Sequence, residues 1–290
     1  MLLQQVINGL TLGSMYALLA VGFALICGIL KMITFAHGEV FMVGAFAGLT
    51  AIAAFQLGPL EGLLAAMAVS LVLGLLTERI AFRPFREGSA LSPALITIGI
   101  SIILQAGVLL LAGADTKAFP YDIGIYTFHL GGIIISGIEI IVIGLTLLLM
   151  LALQLFIHKT RWGLALRATS MHFDGAGLMG VNTNHVVALS FALASALAGI
   201  AGLVVGAYYG AFYPRMGVII SLKALAAATL GGIGSVSGAM LGSLLLGLIE
   251  SLTVAYISAG YRDVIAFAIL IAVLLIRPSG LLGRVEEEKV

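Results

Sequence analysis

The stretch SGIEIIVIGLTLLLMLALQLFI, residues Ser136–Ile157, decides the class of fold. It contains one ionisable side chain, Glu139, and it is long enough for a helix, because about 20 apolar residues cross the hydrocarbon core of a bilayer. The longest polar stretch of the chain, HKTRWGLALRATSMHFDGAGLMGVNTNH (His158–His185), follows directly. This order predicts a membrane-spanning helix that leads into an exposed loop, called the polar loop below.

The rest of the chain has the same apolar character. Its 290 residues are 61% hydrophobic and 9% charged, whereas soluble domains average about 25% charged residues. The composition predicts an all-α polytopic transmembrane helix bundle that forms a single domain over residues 1–290. The apolar runs are Val6–Leu30, Glu39–Leu57, Leu60–Phe82, Pro93–Ala112, Ser136–Ile157, Val186–Gly210, Ser221–Leu230, Gly238–Ser258 and Asp263–Ile276.

The basic residues predict the orientation in the membrane. Most of them fall between alternate apolar runs, and cytoplasmic loops are enriched in Lys and Arg. These residues are Lys31, Arg79, Arg83, Arg86, Lys159, Arg161, Arg167, Arg277, Arg284 and Lys289. We therefore expect about nine crossings, with the N-terminus outside and the C-terminus in the cytoplasm. If the short run Ser221–Leu230 is re-entrant, eight crossings remain.

The polar loop has the pattern of a short amphipathic helix. Leu164, Ala168, Met171, Leu178 and Met179 recur at helical spacing. Gly180 followed by Asn182 is a stop signal. Such a helix either docks a partner protein or lies flat on lipid.

Small residues recur at every fourth position of several runs, and the chain has 37 glycines. Ridges of this kind let two membrane helices approach closely. They predict packing within one subunit, or a smooth sliding surface between helices or subunits. The positions are Gly44 and Gly48; Ser190, Ala194, Ala198, Gly202, Gly206 and Gly210; and Gly234, Gly238 and Gly242.

Ionisable or polar side chains inside apolar runs are candidates for a translocation pathway, because such groups are costly in a membrane. His37 and Glu39 lie in a polar break after the first run, where an interfacial turn is the alternative. Thr97, Ser101 and Gln105 share one helix face at i, i+4 and i+8, and they could equally bond a neighbouring helix. Glu250 and Glu139 are isolated carboxylates that bind a proton or an ion, pair with a buried hydroxyl or lie near a membrane face.

The sequence lacks the motifs that would indicate chemistry in this chain. It contains no G-x-x-x-x-G-K-[ST], G-x-S-x-G or H-E-x-x-H pattern. The single cysteine, Cys27, allows no internal disulfide. These features predict a protein that is not an enzyme, and the net charge of +1 gives no reason to expect a nucleic-acid partner.

Long motifs then indicate a family. GLTLGSMYALLAVGFALICGILKMITFAHGEVFMVGAF (Gly9–Phe46) resembles the opening of the permease subunits of bacterial branched-chain amino acid ABC importers. RATSMHFDGAGLMGVN (Arg167–Asn182) and ALAGIAGLVVG (Ala196–Gly206) fit the same family. LGGIGSVSGAMLGSLLLGLIE (Leu230–Glu250) and RPSGLLG (Arg277–Gly283) also fit, and the match is best to the H-type permease subunit.

The resemblance implies a division of labour in a bacterial inner membrane. A second homologous permease would pair with this chain, two cytoplasmic ATPases would bind ATP and magnesium beneath it, and a periplasmic binding protein would deliver substrate. No cofactor would bind to this chain itself. The family's coupling helix corresponds to roughly Ala168–Val181 within the polar loop. The residues implied in ATPase coupling are Arg167, Ala168, Met171, Asp174, Ala176, Leu178, Met179 and Gly180.

Two other functions remain open at the level of sequence. The same architecture could import urea, short amides or aromatic acids, because the binding protein sets selectivity. A protein of a different class, a proton-coupled secondary transporter, would need its carboxylates to face a cavity. Glu39, Glu139 and Glu250 are the candidates for that role.

Overall fold

A computed structural model describes residues 2–85, 91–121, 126–130, 133–277 and 279–283. Nearly all regular structure within these ranges is helical, as the composition predicts. The helices are α1 Leu2–Leu30, α2 His37–Ala53, α3 Pro59–Thr77, α4 Leu91–Ala112, α5 Gly137–Lys159, α6 Arg161–Met171, α7 Phe173–Leu178, α8 Thr183–Tyr209, α9 Met216–Gly231, α10 Val236–Tyr256 and α11 Arg262–Ile276. A π-helical turn, Glu78–Phe82, and a 3₁₀ turn, Arg83–Phe85, extend α3.

Seven helical segments of the described residues are long and apolar enough to cross a membrane. Two further apolar helices, α2 and α9, have 17 and 16 residues. The run predicted at Ser221–Leu230 is thus part of a longer helix, Met216–Gly231. At 1.5 Å per residue this helix is about 24 Å long, somewhat shorter than the hydrocarbon core.

Four short strands interrupt the helical pattern: three lie in or at the edge of the stretch between the predicted runs Pro93–Ala112 and Ser136–Ile157, and the fourth follows α8. Strand β1 Lys117–Ala118 pairs antiparallel with β4 Ala211–Phe212. Strand β2 Thr127–Leu130 pairs with β3 Ile133–Ser136 in a hairpin. Residues 122–125 and 131–132, between these two runs, lie outside the described residues. By pairing, the strands satisfy backbone N–H and C=O groups near the end of the bundle that are not hydrogen-bonded within a helix.

Helix α1 forms the centre of the bundle and is largely buried. It packs along α10 through glycines: a Cβ built on Gly13 would lie 2.7 Å from Leu244 Cα, and one built on Gly9 would lie 2.8 Å from Leu248 Cα. Helix α8 packs on α2 and α3 in the same way. Helices α4 and α11 are mostly exposed, as expected for helices that face lipid or another subunit.

The predicted ridge on α8 packs inside this chain. Ser190, Ala194 and Ala198 are buried. A Cβ on Gly202 would meet the Phe41 carbonyl oxygen of α2 at 2.2 Å, and one on Gly206 would meet the Phe212 ring. Gly210, the last member, has open space around it and ends α8 with a φ of 65°, so it caps the helix and is not part of the packing surface.

The second ridge joins α9 to α10. A Cβ on Gly242 would lie 2.2 Å from the Ala227 carbonyl oxygen, and one on Gly238 would lie 2.4 Å from the Gly231 carbonyl oxygen. Gly234 lies outside α10 with a φ of 87°, and a Cβ there would contact Gly28 Cα of α1 at 3.0 Å. These contacts bring the end of α1 and the α9–α10 connection together.

The two ends of the bundle differ in charge. One end, called the strand end, carries the strands and the start of α1. Gln4 Nε2 of α1 donates a hydrogen bond there to the Ile134 carbonyl of β3 at 2.9 Å. The other, called the loop end, carries the polar loop and the C-terminal segment, since Leu281 N donates to Leu230 O at 2.9 Å. Of the basic residues that the structure describes, the loop end holds Lys31, Arg79, Arg83, Lys159, Arg161, Arg167 and Arg277, and the strand end holds Lys117, Arg215, Arg262 and the nearly buried Lys223.

Candidate functional sites on the polar loop and in the bundle

The polar loop forms two short helices at the loop end of the bundle. Helix α6 ends at Met171, and His172 adopts an extended conformation whose Nδ1 accepts a hydrogen bond from Gly175 N at 2.9 Å. His172 thereby caps α7 and separates it from α6. The single helix predicted over Ala168–Val181 is therefore wrong in this detail. Gly180 takes a φ of 86° after α7, which agrees with the stop signal predicted there.

The loop presents apolar side chains to the outside. Met171, Leu178 and Met179 are 74%, 88% and 87% exposed, and they are called the apolar patch below. Large apolar side chains that are so exposed on one loop are typical of surfaces that bind a partner. Arg167 and Asp174 are also exposed on this loop.

The other predicted coupling residues occupy different positions. Gly180 is exposed, and Ala168 is partly buried. Ala176 is 6% exposed and faces the bundle, so it cannot contact a partner directly. Its backbone holds the loop together, because Val181 N donates to the Ala176 carbonyl at 3.1 Å.

The inner face of the loop is fastened to the membrane helices. Leu166 is 4% exposed and belongs to a buried cluster with Ile29 of α1, Phe82 of the π-helical turn and Phe191 of α8. Phe82 and Phe191 pack ring to ring at 4.9 Å. Well-packed interiors transmit displacement with little compression. A force on the apolar patch would therefore reach α1, α3 and α8.

Glu39 and the polar stripe of α4 meet in the interior. Gln105 Nε2 donates to Glu39 Oε1 at 2.7 Å, and Ser101 Oγ donates to the same oxygen at 3.3 Å. Thr97 Oγ1 accepts from the Phe35 backbone N–H at 3.2 Å. The three residues predicted to share one face of α4 thus bind the first turn of α2 and the segment that leads into it.

His37 lies deeper in the bundle than an interfacial turn would. It is 2% exposed, its ring lies 4.8 Å from the Phe23 ring, and a Cβ on Gly22 would meet its Nε2. Gly22 precedes the end of α1 by eight residues, which is about 12 Å along a helix. Helix α2 therefore begins inside the bundle, and residues 31–36 run inward without helical structure.

Glu250 is fully buried at the centre of a separate ionic cluster. Its Oε2 accepts from Tyr16 Oη at 2.9 Å and from Arg262 Nε at 2.7 Å. Its Oε1 lies 2.9 Å from Lys223 Nζ, which also pairs with Asp263 Oδ1 at 2.6 Å. Helices α1, α9, α10 and α11 each supply a member, so this ionic cluster joins four helices around one carboxylate.

The cluster contains residues that the sequence did not mark as a site. Lys223 and Arg262 are only scattered basic residues along the chain, and Tyr16 lies in an ordinary apolar run. The available signal was a lysine within an apolar segment, since such a residue needs a partner.

Glu139, in contrast, caps α5: its Oε2 accepts from Ser136 N at 2.9 Å in a capping box. Within the described ranges, no group of three His, Cys, Asp or Glu side chains could hold a metal ion.

The architecture defines a multi-pass membrane protein with an exposed loop at its basic end, and the inner face of this loop packs against the membrane helices. Comparison with known proteins defines the family. The model of the branched-chain amino acid transport system / permease component family matches residues 5–274. The chain therefore belongs to this family of transport permeases, and it is a multi-pass protein of the inner membrane.

Three relatives illustrate the range of the family. The high-affinity branched-chain amino acid transport system permease protein BraD of Pseudomonas aeruginosa is 43% identical, covering 99% of this chain and 98% of BraD. The LivH protein of Escherichia coli K12, with the same descriptive name, is 42% identical over 99% of this chain and 97% of its own length. The autoinducer 2 import system permease protein LsrC of Yersinia pestis is 31% identical over 45% of this chain and 39% of LsrC.

Proposed function

We propose that the chain is the permease subunit of a binding-protein-dependent ABC importer and forms the translocation path for branched-chain, aliphatic amino acids. The observation that carries the proposal is similarity over nearly the full length to two high-affinity branched-chain amino acid permeases. The exposed apolar patch at the basic end of the bundle supports it independently.

In this proposal the loop end is cytoplasmic, and all nine apolar helices cross the membrane. Seven described basic residues at the loop end against four at the strand end, one of them the nearly buried Lys223, support that orientation. The N-terminus is then outside and the C-terminus inside. Helices α2 and α9 cross in spite of their length because each packs against several other helices, so their ends need not reach lipid headgroups.

Energy comes from outside the chain. Two cytoplasmic ATPases bind ATP and magnesium and engage the polar loop through the apolar patch. A second, homologous permease completes the path, and a periplasmic binding protein delivers the substrate to the strand end. Closure of the ATPases displaces α6 and α7, and the buried contacts of Leu166 carry the movement to α1 and α8.

Co-purification in mild detergent tests the assembly. We expect two ATPase subunits and a second permease to accompany the chain, and uptake of leucine into proteoliposomes to require ATP and the binding protein. Active transport by the chain alone, without ATP, contradicts the proposal. Uptake that collapses with a protonophore in the presence of ATP indicates the proton-coupled alternative, for which Glu39, Glu139 and Glu250 are the candidate carboxylates.

Gly180→Trp tests the coupling role of the polar loop. Its left-handed φ of 86° strains any other residue, and a tryptophan there would project from the end of α7 where a partner docks. We expect ATP hydrolysis to continue while uptake falls, with normal insertion in the membrane. Gly107→Ala, on exposed α4 where a Cβ meets nothing within 4 Å, is the control. Full uptake by Gly180→Trp would show that coupling does not use this loop.

A further inference from the structure

A half-open cavity of about 420 Å³ lies against the ionic cluster, at the strand end. Its walls come from α1, α8, α9, the start of α11 and the connection between α8 and α9. This size falls within the range of small-ligand sites, which are mostly apolar with a few convergent polar groups. Tyr16, Lys223 and Arg262 line its polar side, and methionine, valine and isoleucine side chains that include Met216 and Ile220 line its apolar side.

Of the two cations in the cluster, one has hydrogen-bond donors that the cluster does not use. Lys223 is nearly buried and already pairs with two carboxylates, Glu250 and Asp263. Arg262 binds Glu250 through Nε alone, and among the described residues its two terminal NH₂ groups bond no other side chain. A guanidinium with both terminal groups free is suited to bidentate binding of a carboxylate.

The energetics argue that the cluster has a role beyond stability. Glu250 is fully buried, and four charged groups balance there, two positive and two negative. Replacing such buried ion pairs by apolar residues is often neutral or stabilising, so stability alone does not explain them. Ionisable groups within membrane bundles commonly mark substrate paths. Here Glu250 holds Arg262 through Nε, so that a bound carboxylate would meet the two terminal NH₂ groups of the guanidinium.

We propose that this cavity is a transient binding station for a free aliphatic amino acid, with the α-carboxylate on the terminal NH₂ groups of Arg262. The aliphatic side chain of the ligand lies against the Met, Val and Ile wall, and the tyrosine rings offer faces to the ammonium group. Glu250 and Lys223 are positioning residues that hold Arg262 and do not touch the ligand. The station rests on the proposed function, because it receives the substrate that the binding protein releases at the strand end.

Binding is tested directly with the purified chain, together with its permease and ATPase partners, in nanodiscs. Saturation-transfer NMR is recorded with free leucine and with leucinamide, which lacks the carboxylate. We expect a transfer signal for leucine that leucinamide does not give. We also expect that signal to be lost in Arg262→Lys, which keeps a cation beside Glu250 but lacks the two terminal NH₂ groups of the guanidinium. Equal signals from leucine and leucinamide, or an unchanged leucine signal in Arg262→Lys, overturn the proposal.

Uptake into proteoliposomes separates ligand binding from a structural role. Arg262→Gln leaves Glu250 short of a partner, so it is compared with Arg262→Gln/Glu250→Gln, in which Lys223 and Asp263 still pair. We expect the double variant to regain thermal stability while leucine uptake stays at least about tenfold below wild type, as for the loss of one charge-assisted bidentate contact. Arg215→Gln removes one charge from the same end outside the cavity and should transport normally.

The outcomes distinguish the two proposals. If the wild-type complex takes up no leucine, the proposed function fails. If it takes up leucine and the double variant does so equally well, only the station fails, and Arg262 is a structural partner of Glu250. A drop in affinity for the binding protein in Arg262→Lys, with unchanged leucine contact, assigns the cavity to that protein interface and likewise overturns the station.

Discussion

Shortening the apolar patch to Leu178→Ala/Met179→Ala should weaken docking of the ATPases without weakening the fold. Both side chains are almost fully exposed, at 88% and 87%, so they contribute little to the stability of the chain itself. Surface substitutions of this kind usually change the free energy of unfolding by less than about 0.5 kcal/mol. Any effect on transport would therefore come from an intermolecular contact.

The size of the effect follows from the area that a partner could cover. Each truncation removes about three heavy atoms, and a buried methylene contributes about 0.8 kcal/mol, so full burial of both side chains is worth about 4 to 5 kcal/mol. If a docking cleft covers half of that surface, the loss is about 2 kcal/mol, which is roughly thirtyfold in Kd.

The assay is binding of the purified ATPase subunits to the permease in nanodiscs, with leucine uptake measured in parallel. Ile233→Ala is the matched control, because Ile233 is 55% exposed at the same end, between α9 and α10. A Kd within twofold of wild type would refute the docking role of the patch. A fall in thermal stability comparable to the loss of affinity would show instead that Leu178 and Met179 pack within the chain.

Two further predictions concern packing and the interior polar contact. Gly202→Ala places a Cβ 2.2 Å from the Phe41 carbonyl oxygen and should lower the free energy of unfolding by about 1 to 3 kcal/mol, because it forces α8 away from α2. The midpoint of thermal unfolding should fall accordingly. Gly107→Ala, at an open site, should show no loss, and an equal effect at both sites would contradict the close approach of α8 and α2. Glu39→Ala removes the acceptor of Gln105 Nε2 and should cost about 1 to 3 kcal/mol, whereas Glu39→Gln keeps an acceptor oxygen and should lose less. Equal loss in both Glu39 variants would show that this hydrogen bond contributes nothing.

Local patterns predicted several features of the candidate sites. The i, i+4, i+8 spacing of Thr97, Ser101 and Gln105 indicated one helix face, and two of these side chains bind Glu39 as neighbours. Gly180 indicated the end of a helix, and it adopts a left-handed conformation directly after α7. Each of these features depends on residues within about two turns, so the backbone geometry of a helix is enough to read them.

Other features depend on residues that are distant along the chain. Tyr16 and Glu250 are 234 positions apart, yet they share a hydrogen bond. Gly210 continues the four-residue spacing of the α8 ridge, but its position at the end of the helix gives it a capping role. Ala176 fits the docking pattern in sequence, but the path of the loop turns it toward the bundle. Spacing could not distinguish these outcomes, because each depends on which neighbour arrives in space.

The sequence by itself determined that this protein is a bundle of apolar helices in a membrane. A backbone surrounded by lipid must bond its own amides, and apolar segments of this length can do so only as helices. Tertiary structure alone decided where α2 begins within the bundle, which side chains of the polar loop face outward, and that Lys223 and Arg262 converge on Glu250. The free energy of placing an apolar helix in lipid depends little on which helices are its neighbours. Helix partners are therefore selected by close glycine contacts and by the need of each buried charge for a counter-charge.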